Sequence, residues 1–236
     1  VMSFNARLFN HYNWIENDSI SQNIEQFLKQ EKPDILSIQE YHGDYQHLLK
    51  HYKNKYVYLN GGKVGQSIHT NNKIINKGSV EFENSRNNAI YVDLIQKNDT
   101  IRLYNAHFES FRLDVYGLKT DLVSLKEVIS KVKNTYIIQK NQSEILINHM
   151  LKSPYNTVLT VDLNNTEYSY VYREIERKFN DAFSLIGNGF GPTYDFKFLP
   201  IRIDYIFVSD SISVNNFKIF DKKISDHKPI STFIKI

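Results

Sequence analysis

The 236-residue sequence predicts a mixed α/β (α+β) fold, two stacked sheets flanked by helices. Three observations predict it. Apolar–polar alternation of period two recurs from one end of the chain to the other, helical periodicity is confined to a few longer segments, and several consecutive strands are joined by short hairpin links. A doubly wound parallel sheet would need a helical crossover between successive strands, so those links argue against it. The length suits one large domain with a substantial core, and residues 1–236 read as that single domain, with no repeat, linker or low-complexity block.

The elements follow in order. Val1 to Phe9 is apolar and alternating, as a buried strand would be, and a polar loop runs through Asn13 and Asn17. Ser19 with Gln22 three residues on suggests a capping box, and Ile20, Ile24, Phe27 and Leu28 recur at helical spacing until Pro33. Asp34 to Glu40 reads as a second core strand, His42 to Tyr52 as helical, and Lys55 to Leu59 as a strand. Gly61-Gly62 makes a turn into shorter strands around Ser67 and Ile74. Ala89 to Gln96 and Thr100 to Phe108 pair as a hairpin across Lys97-Asn98-Asp99.

From about Gly117 to Lys152 the period becomes helical. Leu118, Leu122, Leu125, Val128, Ile129 and Val132 form one apolar stripe, and Ile138, Ile145, Leu146, His149 and Met150 suggest a second helix after a break near Asn134. Thr157 to Val161 is a β-branched strand, Tyr168 to Lys178 a helix, and Ile201 to Ser209, Asn215 to Phe220 and Ile230 to Ile236 close the fold as strands.

Composition excludes several classes. Aromatic residues make up 14% of the chain and charged residues 23%, a balance that rules out intrinsic disorder. The absence of cysteine excludes disulfide scaffolds, thiolate metal sites and cysteine nucleophiles. The net charge of +3 and pI near 8.8 come from scattered lysines, which permit a nucleic acid partner without demanding one. No run of about 18 apolar residues occurs, so no membrane span is expected in these residues, and no charged-then-apolar leader opens the chain. Val1 stands already within a strand-like run, which suggests that the natural N-terminus, with any anchor or signal, lies ahead of it.

Six scattered stretches carry chemistry: Ser3-Phe4-Asn5, Gln39-Glu40, Asn105-Ala106-His107, Asp162-Leu163-Asn164, Arg202-Ile203-Asp204-Tyr205 and Ser225-Asp226-His227. Five of them sit at or just past predicted strand ends, where loops can bring side chains together. A phosphoester resists attack because its anionic oxygens repel a nucleophile, so hydrolysis needs a cation, an oriented water and help for the leaving group. Glu40 and Asp226 are hard oxygen ligands and, with Asn5, suit Mg²⁺ or Mn²⁺. Asp162 and Asn164, on alternate positions, suit orienting water and bonding a phosphate oxygen. His107 and His227 suit phosphate contact and proton handling, and Asp204 suits fixing an imidazole tautomer.

Each stretch also has a plain structural reading. Asp-Leu-Asn after a strand is commonly a turn or helix cap, Arg202 suits a simple ion pair, and Ser225-Asp226-His227-Lys228-Pro229 suits a turn ended by proline. Coincidence decides: independent accidents would not supply every part of one mechanism. His47 and His51 have the spacing of helical zinc ligands but lack a third and read as a solvated face, Gly187 to Pro192 lacks a phosphate-loop lysine, and Tyr12 and Trp14 read as packing on the loop after the first strand.

In order and spacing these stretches, extended to Met2-Ser3-Phe4-Asn5, Ile38-Gln39-Glu40, Tyr104-Asn105-Ala106-His107, Val161-Asp162-Leu163-Asn164, Arg202-Ile203-Asp204-Tyr205-Ile206 and Ser225-Asp226-His227-Lys228-Pro229, resemble those of the endonuclease/exonuclease/phosphatase superfamily over essentially the whole chain. The resemblance implies a DNase I-like, four-layer α/β/β/α sandwich with its site at one rim between the sheets. It also implies that Glu40 and Asn5 bind the metal with Asp226 close by, that Asp162 and Asn164 position water and phosphate, that His227 pairs with Asp204, and that His107 touches the scissile phosphate. Val161 stands where the family commonly has glycine, and Phe108-Glu109 where it has Leu-Asp; the ligating residue types survive both changes. The wording around Arg7-Leu8-Phe9 and Gly191-Pro192-Thr193-Tyr194 resembles a bacterial branch whose domain often follows membrane-spanning segments. Such segments would precede Val1 and place the domain outside the cytoplasm.

The expected activity is divalent-metal-dependent hydrolysis of a phosphodiester, with DNA or RNA slightly preferred as substrate because a basic surface tolerates a polyanion. A lipid or small-molecule phosphoester, as for sphingomyelinase-like or inositol-phosphate-like enzymes, is the alternative among enzymes. A catalytically silent module binding a phosphorylated ligand is the alternative from another class. Substrate identity, the number of metals, oligomeric state and location are not written in these residues.

Overall fold

The computed structural model describes residues 1–83, 85–111, 122–196 and 199–236, with backbone only for 122–124. The predicted Leu118 lies outside the described residues. In chain order the elements are β1 (Met2–Asn5), α1 (Ile20–Glu31), β2 (Ile35–His42), β3 (Asn54–Leu59), β4 (Val64–Thr70), β5 (Ile74–Glu81), β6 (Asn88–Gln96), β7 (Asp99–His107) and α2 (Leu122–Leu151). There follow β8 (Asn156–Asp162), α3 (Tyr170–Glu176), β9 (Asn180–Asp181), α4 (Ala182–Ile186), β10 (Tyr194–Phe196), β11 (Leu199–Ile201), β12 (Asp204–Val208), β13 (Ser213–Ile219) and β14 (Ile230–Lys235).

Among the described residues the strands make two six-stranded sheets, ordered β13-β14-β1-β2-β4-β3 and β5-β6-β7-β8-β12-β9, and a small β10-β11 ribbon. Alternation explains the layers. On β1, Met2 and Phe4 face outward with Leu36 and Ile38 of β2 and pack on Ile20, Ile24, Phe27 and Leu28 of α1. Ile35, Ile68, Ile90, Val92, Leu103, Val158, Ile206 and Ile230 fill the space between the sheets. Tyr104, Leu159, Val161, Tyr205 and Phe207 cover the far face of the second sheet and meet Leu146 and Met150 of α2 with Val171 and Ile175 of α3. The result is the four-layer α/β/β/α sandwich.

Several predicted elements differ. The first strand ends at Asn5 rather than Phe9, because Arg7, Leu8, Phe9 and Asn10 all adopt left-handed backbone angles. Ser19 caps α1 without a side-chain hydrogen bond, so no capping box forms; Asn17 Oδ1 accepts from the Ser19 amide instead. The segment after β2 is a 3₁₀ helix over Gly43–Leu49, and α2 runs unbroken through Asn134. Leu125 and Ile129 of the predicted stripe are exposed, since the core contacts of α2 lie in its C-terminal half around Leu146 and Met150. The strands around Ser67 and Ile74 are full-length, and α4 went unpredicted.

A polar bolt ties the sheets together below the rim. Gln39 Nε2 donates to Ser3 Oγ at 3.0 Å and to Asn105 Oδ1 at 2.6 Å, while Asn105 Nδ2 donates to the Ile38 and Ser67 carbonyls. Gln39 and Asn105, which flank site residues in sequence, are therefore fully buried links between layers. No helix of the described residues is long and apolar enough to cross a membrane.

Candidate active site

Register brings the second sheet's contributions together. His107 ends β7 opposite Asp162, which ends the parallel strand β8, and Asp162 lies opposite Asp204 at the start of antiparallel β12. Three chemically active residues thus stand side by side on adjacent strands. Across the interlayer space, Asn5 ends β1 and donates from Nδ2 to Asp162 Oδ2 at 2.8 Å and to Glu40 Oε1 at 3.2 Å. Asp162 is the hub: its Oδ2 also lies 3.5 Å from His107 Nε2 and 3.8 Å from His227 Nε2.

Glu40 does not sit at a strand end. It lies inside β2 at a bulge, where the pairing with β4 shifts between Ile38 and Tyr41 and Glu40 takes φ +46°. The bulge breaks the alternation and leaves Glu40 partly exposed beside the fully buried Gln39. Its Oε1 lies 3.9 Å from His107 Nε2. Asn164 also adopts a left-handed angle, φ +50°, in a turn closed by its amide donating to Asp162 Oδ1, and its Nδ2 donates to the Phe108 carbonyl at 3.0 Å.

His227 is buried against Asp204, with Nδ1 2.9 Å from Asp204 Oδ2, and the Tyr194 ring lies 4.8 Å from the imidazole. Burial opposes a charge on His227, but the carboxylates of Asp204 and Asp162 outweigh it and push its pKa up to about 10. Asp204 is itself wholly buried, and Thr193 Oγ1 accepts hydrogen bonds from the Ile203 and Asp204 amides beneath it. Burial raises the Asp204 carboxyl above its ordinary value against the opposing pull of His227, and His227 Nε2 lies on the side of Asp162.

Ser225 and Asp226 complete the loop. Ser225 Oγ donates to the Asn5 carbonyl at 2.8 Å and accepts from the His227 amide, pinning this loop to β1. Asp226 Oδ2 lies 2.9 Å from the Arg7 guanidinium. Arg202 faces elsewhere: its guanidinium pairs with buried Asp181 and packs on Phe183 and Tyr205, so the plain ion-pair reading of Arg202 applies, with Asp181 as its partner.

Glu40, His107, Asn164, Asp226 and His227 together line a cleft of about 650 Å³. Sequence reasoning missed the apolar half of this cleft, formed by Phe111, Tyr194, Phe196, Ile201 and Ile203, and it missed Arg7 at its edge. Thr193-Tyr194 was visible only as part of a family-like phrase, and no local signal placed it against His227. His47 and Trp14 are exposed, with Trp14 packed edge-on to Tyr12.

Two places could attract a cation. Asp162, Asp204 and His227 offer ligand atoms within 4.8 Å of one another; a protonated His227 there offsets one of the two carboxylates and leaves the group with net negative charge. Glu40 is different, since among the described residues no lysine or arginine pairs with it; Asn5 beside it presents Nδ2 and not its oxygen, which accepts from the Arg7 amide. A hard oxygen donor with uncompensated charge at the mouth of a cleft fits a divalent cation.

The sequence matches the Endonuclease/Exonuclease/phosphatase family over residues 2–227. The chain belongs to that family. It is accordingly a hydrolase of phosphoester bonds, and family members generally use divalent metals. No curated relative matches the sequence. Among solved structures, an endonuclease/exonuclease/phosphatase protein of Bacteroides vulgatus superposes with TM-score 0.79 at 16% identity, covering 100% of this chain and 97% of that one. A humanized D. rerio TDP2 gives 0.78 at 15% identity, covering 100% and 98%. D. rerio TDP2 with a single-strand DNA product gives 0.76 at 14% identity, covering 100% and 98%. At these identities the likeness establishes the DNase I-like fold.

Proposed function

We propose that this chain is a divalent-metal-dependent phosphodiesterase whose substrate is a nucleic acid strand. The observation that carries the reading is the convergence on Asp162 Oδ2 of Asn5, His107 and His227, three groups from distant parts of the chain, beside Glu40, which has no lysine or arginine partner among the described residues. In hydrolysis, water adds to phosphorus, the ester P–O bond breaks, and one proton passes from the water while another reaches the departing oxygen.

Asp162, anchored by the Asn5 amide and the Asn164 turn, orients and accepts from the attacking water. Asn164 bonds a phosphate oxygen, and protonated His227, held by Asp204, stabilises the charge that builds on the phosphate. His107 touches the same group from the other side of Asp162. Glu40 would hold Mg²⁺ or Mn²⁺, with Asp226 near it in the cleft, and a bound cation would polarise the phosphate; Asn5 turns its Nδ2 toward Glu40 while its Oδ1 accepts from the Arg7 amide, so it would join the metal only with its amide reversed. A nucleic acid is favoured by the mildly basic chain and by the DNA product bound to D. rerio TDP2.

The test is hydrolysis of an aryl phosphodiester with Mg²⁺, with chelator, and in Asp162→Ala and His227→Ala. Each variant should lose roughly 10² to 10⁴ in kcat, and chelation should abolish turnover. Turnover indifferent to metal or to both substitutions would overturn the mechanism. Offering plasmid DNA, RNA, sphingomyelin and inositol phosphates then ranks substrates, and a preference for either of the last two would displace nucleic acid.

A further inference from the structure

Folding gathers lysines that are scattered along the chain onto the end of the sandwich opposite the cleft. Asn54 lies opposite Thr70, and Thr70 opposite Ile35 at the start of β2, whereas Glu40 stands toward the other end of that strand. In the second sheet Ile74 lies opposite Leu94, Leu94 opposite Ile101, and Ile101 opposite Asn156 at the start of β8, the strand that Asp162 ends. At about 3.3 Å per residue, roughly 20 Å of strand separates this end from the cleft.

Hydrogen bonds stitch the segments here into one surface. The Lys53 amide donates to Asn71 Oδ1, Asn54 Nδ2 to the Asn72 carbonyl, Asn72 Nδ2 to Gln96 Oε1, and the Ile95 amide to the Lys73 carbonyl. Lys53, Lys55, Lys73, Lys77 and Lys97 stand exposed on it, and none of the five has an ion-pair partner among the described residues. Within residues 53–55, 71–77 and 95–99 the sole carboxylate is Asp99. Asp93, beside them, is buried and held by Arg102 and Asn76, and Asp34, whose carbonyl accepts from Thr70, has Lys32 near it in the chain.

Two isoleucines interrupt this polar surface, Ile75 at 45% exposure and Ile95 at 36%. Ile75 stands at a bulge, where the pairing of β5 with β6 shifts between Ile74 and Asn76. Between β3 and β5, the neighbouring edge strands of the two sheets, lies a hollow of about 260 Å³ lined by Asn54, Lys55, Ile74, Ile75, Asn76 and Lys77. Ammonium and amide groups around such a hollow suit a phosphate headgroup, and isoleucines among lysines suit the boundary between headgroups and acyl chains. Isoleucine has no ring on which a base could stack, and the nearby Tyr56 ring already has Lys77 Nζ over it at 5.3 Å, so a bilayer fits this face better than a nucleic acid strand.

We propose that this end of the sandwich docks on the surface of an anionic phospholipid bilayer, with the lysines on the headgroups and Ile75 and Ile95 in the boundary beneath them. The cleft then faces away from the bilayer, open to a substrate arriving from solution. Docking of this kind is independent of the reaction in the cleft.

Sedimentation with sucrose-loaded vesicles tests it. The protein should pellet with phosphatidylcholine vesicles that contain phosphatidylserine, stay in solution with phosphatidylcholine alone, and be released as salt is raised. Lys55→Gln with Lys77→Gln should weaken partitioning roughly tenfold or more, and Ile75→Ser with Ile95→Ser should weaken it as well. Lys222→Gln with Lys223→Gln, which removes the same charge from the loop before Ser225, should partition as the wild type does. Failure to pellet with phosphatidylserine, equal pelleting with phosphatidylcholine alone, unchanged partitioning in either of the first two variants, or an equal loss in the Lys222 and Lys223 variant would overturn it. An oligonucleotide held through Lys55 and Lys77 by a protein indifferent to vesicles would overturn it too, and would assign the face to nucleic acid.

Discussion

Asp204 shows how one buried residue sets the chemistry of another. Its carboxylate is wholly enclosed, yet it is the main reason, after burial's opposing effect, that His227 keeps its proton to a pKa of about 10. Asp204→Asn keeps the shape and removes the charge, so the His227 pKa should fall toward its ordinary range, which an NMR titration of the imidazole would follow. Activity that depends on imidazolium should then fail at lower pH than in the wild type, and kcat should fall by roughly 10² or more. An unmoved His227 titration would separate this pair from the chemistry. The left-handed angles at Glu40 and Asn164 belong to the same scale, because each aims a polar side chain at the cleft where regular strand geometry would turn it away.

Among the elements, α2 does more than cover the second sheet. Gln139 is fully buried mid-helix; its Nε2 donates to the Glu109 carbonyl at 2.7 Å and its Oε1 accepts from Asn165 Nδ2 at 2.8 Å. Gln142 Oε1 accepts from the Glu109 amide, so the helix clamps both loops that follow β7 and β8. Gln139→Ala leaves buried partners unpaired and should cost about 1–3 kcal/mol in urea unfolding. Because Asn164 lies between the clamped Leu163 and Asn165, kcat should fall in the same variant. Intact turnover would show that the clamp serves stability alone. The unbroken course of α2 through Asn134 fits this duty, since a kink there would change the relation of Gln139 to the core contacts at Leu146 and Met150.

For the molecule as a whole, the first sheet carries a built-in acid sensitivity. His69 on β4 is fully buried, and neither ring nitrogen has a hydrogen-bond partner among the described residues. Burial, with the nearby charges of Lys55 and His51, lowers its pKa from 6.5 to about 3. Above about 6.5 the imidazole is neutral folded and unfolded, and stability is complete; between there and about 3 only the unfolded chain binds the proton, so stability falls as pH falls. The slope from this residue approaches about 1.4 kcal/mol per pH unit, so moving from pH 7 to 5 should cost on the order of 2 kcal/mol. Urea unfolding of the wild type and His69→Leu at both pH values checks it: the variant should lose about one proton's worth of slope, and equal slopes would refute the assignment.

The six polar stretches and most strands were legible in the sequence because alternation and β-branching report directly on a buried sheet, and because hard acids, amides and imidazoles name their chemistry by type. Ile20, Ile24, Phe27 and Leu28 face the core as their spacing demands. What local sequence could not carry is anything that needs a partner strand or a distant residue to exist. The bulge at Glu40 requires the register of β4, the left-handed turn at Arg7 requires Tyr41 and Tyr45 around Phe9, and the pairing of Arg202 with Asp181 requires two chain segments meeting at β12. Residue type, then, determined which reaction this chain is equipped for. Tertiary packing alone decided which carboxylates meet a basic side chain and that Glu40 meets no lysine or arginine among the described residues, because charge compensation acts over a few ångströms of space irrespective of separation along the chain.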